Sequence, residues 1–97
     1  MISMKLDTAP VQSLFEANKD LDEKLKRKGY EHFKNITPIK TGNARSRTYQ
    51  DGAGDIVANY PYAGRLDDGY SKQAPKGMTE PTMAYMEQLF DELLKKE

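Results

Sequence analysis

Apolar residues recur at helical spacing near both ends of this chain, and polar and apolar positions alternate briefly in between. Over residues 8–34, Val11, Leu14, Leu21, Leu25 and His32 fall close to one stripe, with Phe15 at its edge. Lys19, Asp20, Asp22, Glu23, Lys26 and Lys28 fill the opposite face. The pattern predicts one helix over 8–34, capped by Thr8, with Pro10 in its first turn and a later capping-box pair in Ser13 and Glu16. Gly29 is either its end or a weak point within it; continuation to about Phe33 is favoured because Tyr30 and Phe33 pair at helical spacing. Pro38 stops the helix, and Thr41-Gly42-Asn43 is turn chemistry.

Period-two patterning then predicts strands at 44–50 and 55–60 around the glycine-bearing loop Asp51-Gly52-Ala53-Gly54. Arg45, Arg47 and Tyr49 would share one face of the first strand, and Ile56, Ala58 and Tyr60 one face of the second. Residues 61–80 carry no clear period apart from a short turn at 62–67, and a stretch this long without regular structure is often functional. A closing helix is predicted from Thr79 as cap and Pro81 in the first turn. Met83, Met86, Phe90 and Leu93 form its stripe, with Leu89 and Leu94 beside it, and Lys95 and Lys96 at its carboxyl end. The fold class that follows is a small α+β domain: a long first helix, a central antiparallel hairpin or small sheet, and a last helix. A further strand is expected near 71–76.

Ninety-seven residues make a single domain (1–97), in which folding buries only about 60–65% of the unfolded chain's surface. The chain has no cysteine, which fits a reducing compartment and leaves no disulfide or zinc thiolate. Its lysines and arginines balance its aspartates and glutamates, so the basic excess of a nucleic-acid binder is missing. No apolar run approaches the roughly 18 residues of a membrane span, and the first residues lack a signal-peptide core. A soluble, intracellular protein is therefore expected.

Candidate chemistry is thin. The one histidine, His32, reads as an ordinary helix residue; no nucleophile elbow or phosphate-binding loop is present. Asp67 and Asp68 read as solvated loop charges rather than metal ligands, and Asp68 before Gly69 can bond its own turn. No catalytic residue, metal or cofactor is expected. Two readings stay open for the strand face of Arg45, Arg47 and Tyr49: contact with an acidic partner, protein or DNA, or an edge strand using charge against aggregation. Lys40, Arg65, Lys72 and Lys76 could extend a basic patch. Tyr60, Tyr62 and Tyr70 crowd the end of the second strand; Tyr62 is expected to be buried and Tyr70 free for an interface. Met83 and Met86 read as core fillers.

The order of Pro38, Thr41, Gly42, the hairpin, Tyr62, Ala63, Asp68, Gly69 and the Pro81-initiated helix resembles the tail-completion, or minor tail component, family of long-tailed bacteriophages. The chain departs from that pattern at Ala44, where a larger apolar residue is common, and at Asp68, where glutamate is commoner. The resemblance implies a non-enzymatic subunit of the neck, joining the DNA-filled head to the tail as a ring, commonly of six copies. Its partners would be copies of itself, the connector or stopper, and the tail-tube or tail-terminator proteins, with double-stranded DNA passing nearby in the lumen and no membrane. It would reside in the virion neck, after assembly in the host cytoplasm. Arg45, Arg47, Tyr49, Arg65, Asp67, Asp68, Tyr70, Lys72 and Lys76 are the expected interface residues. The alternative is a small nucleic-acid-binding or regulatory module.

Overall fold

The structure, a computed structural model, describes residues 2–38 and 46–95. It is a small α+β domain: β1 (Ile2–Met4), a 3₁₀ helix (Ala9–Leu14), α1 (Leu21–Ile36), β2 (Thr48–Gln50), β3 (Ile56–Ala58), α2 (Ala63–Asp67) and α3 (Thr79–Lys95). The strands form an antiparallel sheet in the order β1-β3-β2.

Register explains which side of the sheet is covered. Ile2 and Thr48 flank Ala58, and Met4 and Gln50 flank Ile56, so these residues share the inner face. Ile56, Ala58 and Met4 are buried there in one cluster with Leu25 and Phe33 of α1 and Met86 and Phe90 of α3. On the outer face, Val57 lies between Ser3 and Tyr49, outside that cluster. The hairpin loop closes as the glycine pattern predicts. Asp55 accepts from Asp51 N–H (2.9 Å), and Asp51 Oδ1 accepts from Ala53 N–H (2.9 Å) and Asp55 N–H (3.0 Å).

Several expectations are corrected. The first helix is split: a 3₁₀ helix ends at Leu14, and α1 starts only at Leu21, after Asp20. Asn18 and Asp20 favour turns and caps over helix interiors, and Leu21 N–H bonds Asn18 C=O (3.1 Å) across the break. Thr8 caps nothing with its side chain; its hydroxyl bonds the Asp22 carboxylate and so ties the 3₁₀ helix to α1. Ser13 lies inside the 3₁₀ helix rather than at a cap. The third strand is β1, not residues 71–76, which form turns. The hairpin strands are shorter than expected, and Arg47 precedes β2 instead of belonging to it. Tyr62 is half-buried rather than buried. Lys40, Thr41, Gly42, Asn43, Ala44, Arg45 and Lys96 lie outside the described residues.

Gly29 is a point of close approach inside α1, which runs on to Ile36. A Cβ there would come within 2.8 Å of Met86 Sδ and 3.2 Å of Leu6 Cδ2, so the missing side chain lets α3 and the segment after β1 sit against the helix. His32 packs in the same seam, stacked on Tyr85 with ring centroids 4.3 Å apart, and burial lowers its pKa. Tyr30 donates to Thr48 C=O (3.0 Å) and fastens α1 to β2.

Tyr60 is the largest side chain in the core, and its hydroxyl has no hydrogen-bond partner among the described residues. Burial, with smaller contributions from Tyr62 and Asp67, pushes its pKa from 10 up to about 12. The unfolded chain therefore ionises Tyr60 first, and stability falls as pH rises from 10 through about 12. Tyr60→Phe removes a buried unpaired hydroxyl and is expected to stabilise the fold by about 1 kcal/mol at neutral pH. It should also flatten the alkaline loss. Urea unfolding at pH 7 and pH 11 checks both, and an unchanged alkaline slope would contradict the assignment.

Candidate functional site

The segment after β3 builds a closed loop on the amino end of α3. Pro61 and Tyr62 turn the chain into α2, whose first residue, Ala63, is buried and bonds Tyr60 C=O (3.2 Å). The helix stops at Asp68-Gly69. Gly69 N–H bonds Leu66 C=O (3.1 Å) and Tyr70 N–H bonds Arg65 C=O (3.2 Å), the paired bonds of a Schellman stop. Gly69 takes the left-handed conformation this needs, with φ +88°.

The chain then returns to its own starting point. Gly77, with φ +76°, lies so close to the Asp67 backbone that a Cβ would overlap the Asp67 carbonyl oxygen and stand 2.6 Å from its carbon. At Gly69 a Cβ would likewise overlap the Pro75 carbonyl oxygen. Asp67 completes the closure: its Oδ1 accepts from Met78 N–H (3.0 Å) and Thr79 N–H (2.8 Å), the first free donors of α3. Residues 68–77 are thus an Ω-type loop joined at its neck by hydrogen bonds and backbone contact. Ala74 within the loop and Met78 just after it are buried.

What the loop presents is polar and aromatic. Tyr70 is 77% exposed, and Lys72 and Lys76 are exposed in the same loop, with Arg65 exposed on α2. An apolar hollow of about 250 Å³, lined in part by Ile36, Ala74, Pro75 and Pro81, flanks the loop. Arg65, Asp68, Tyr70, Lys72 and Lys76 therefore belong to one clamped unit. Arg47 and Tyr49 are exposed on the hairpin, a different element. Asp67 is corrected: it is no solvated loop charge but the carboxylate that closes the loop.

Two surface features escaped the sequence pattern. Met83, read as a core filler, is 53% exposed, and Leu94 is 42% exposed. A polar hollow of about 360 Å³ lies between α1 and the hairpin loop, lined in part by Asp22, Lys26, Gln50 and Asp51. Its groups serve one another: Lys26 Nζ donates to Ala53 C=O (3.0 Å) and pairs with Asp22 (3.7 Å), and Gln50 Nε2 donates to Lys26 C=O (3.2 Å). This tethers the hairpin to α1. Among the described residues no acidic, histidine or cysteine cluster could hold a metal ion, and no helix is long and apolar enough to cross a membrane.

Comparison with protein-family models, curated proteins and solved structures finds no match for this chain.

Proposed function

We propose that this chain is a structural subunit of the neck of a long-tailed bacteriophage, where copies assemble as a ring joining the DNA-filled head to the tail. The observation that carries this reading is the clamped loop 68–77. It presents the side chains of Tyr70, Lys72 and Lys76 at the surface, and the bonds that close its neck are made by Asp67, Met78 and Thr79. An exposed tyrosine on a loop pinned at its neck, with lysines in the same loop, suits contact with other proteins, because it offers a large contact area with a polar tip. The motif order around Pro38, Gly42, Ala63, Gly69 and Pro81 supplies the class of assembly.

Replacing Arg65 and Tyr70 together by alanine tests the surface. Both side chains are exposed, and the backbone bond between these residues survives the change. The expected result is an unaltered fold by circular dichroism with failure to complement a phage lacking the gene, heads and tails accumulating apart. Normal infectious particles would remove the interface from this surface. Salt-dependent binding of the purified protein to double-stranded DNA in that case would favour a nucleic-acid module instead.

A further inference from the structure

Glu80, Met83, Glu87, Asp91 and Leu94 follow one another along α3 at steps of three or four residues, and all are exposed. Helical geometry puts them on one side, an acidic stripe with Met83 and Leu94 set into it. The stripe continues into an apolar groove of about 130 Å³ between α3 and the segment after β1, lined in part by Met4, Leu6, Met83, Met86 and Phe90.

We propose that this stripe and groove receive the loop 68–77 of a second copy of the chain, with Tyr70 seated against Met83, so that copies join head to tail. The inference rests on the neck-ring reading and names the surface opposite the loop. Charge selects the occupant. The receiving side of α3 carries Glu80, Glu87 and Asp91, with Asp7 offsetting Lys5 in the groove, whereas the loop unit exposes Arg65, Lys72 and Lys76 against Asp68, its other aspartate, Asp67, being engaged at its neck. The whole chain is neutral, so copies carry no net repulsion and these two patches can attract across a contact. The same segregation disfavours symmetric pairing: loop on loop would oppose lysines, and stripe on stripe would oppose carboxylates. A head-to-tail contact remains, and it builds rings or filaments. Tyr70 is exposed in its own copy, and the polarizable Met83 thioether is a favourable surface for an aromatic ring.

The chain has no cysteine, so single-cysteine variants report the contact directly. Purified Ser71→Cys and Ala84→Cys proteins, which keep Tyr70 and Met83, are mixed at high concentration and treated with a short bismaleimide. The expected result is cross-linked dimer in the mixture, at least about tenfold more than in either variant alone, since like-charge juxtaposition opposes the symmetric pairs. Adding Lys72→Glu and Lys76→Glu to the loop variant should abolish the product. Glu87→Lys and Asp91→Lys in the other variant should then restore it. No dimer in the mixture, or equal dimer from Ser71→Cys alone, would overturn the inference. If the gene deletion separates heads from tails and the cross-link is absent, this contact is rejected and the neck reading stands. If the cross-link forms and the deletion leaves virions intact, the reverse holds.

Discussion

Gly77→Ala is expected to destabilise the domain by about 3 kcal/mol or more, the larger of the two loop-neck effects. Two costs combine. The position has φ +76°, where a side chain is strained by about 1 kcal/mol or more. The new Cβ would also meet backbone atoms of Asp67, which cannot rotate away as a flexible side chain can. In a chain of this size, such a loss lowers the unfolding midpoint by roughly 12–24 °C. Thermal unfolding followed by circular dichroism measures it. A drop of only a few degrees would mean that the loop neck opens at little cost, and that 68–77 is not the clamped unit described above.

Asp67→Ala should cost about 2–3 kcal/mol, because one carboxylate oxygen serves two backbone donors at the start of α3. Asp67→Asn keeps an acceptor oxygen, so most of the stability should return. That split separates hydrogen bonding from charge. The alanine variant should also be cut faster by trypsin after Lys72 and Lys76, since local opening then precedes global unfolding. Equal loss in both variants would assign the effect to charge near the helix end rather than to the closed neck. Asp67 and Gly77 are in contact, so their combined effect should fall short of additivity.

Some of this architecture was legible and some was not, for identifiable reasons. Met86 and Phe90 in α3, and Asp51-Gly52-Ala53-Gly54 between β2 and β3, signal their elements within a few residues of sequence. The break after Leu14 was hidden because Val11, Leu14, Leu21 and Leu25 keep nearly one helical phase across it. Strand β1 is three residues long and exists by pairing with β3, more than fifty positions away, which no local pattern reports. At the site, Asp68-Gly69 was readable as a turn because the stop of α2 is local. The role of Asp67 was not, since its donors lie 11 and 12 residues further on. Tyr70 was expected to be free and is; Met83 was not, because helical period alone cannot say which end of a stripe the rest of the fold leaves uncovered.

The most direct test of head–tail joining is to delete the gene from the phage or prophage that carries it and image the lysate by negative-stain electron microscopy. Filled heads and complete tails lying separately are the predicted result, restored to whole virions when the wild-type gene is supplied in trans. Intact virions from the deletion would contradict it.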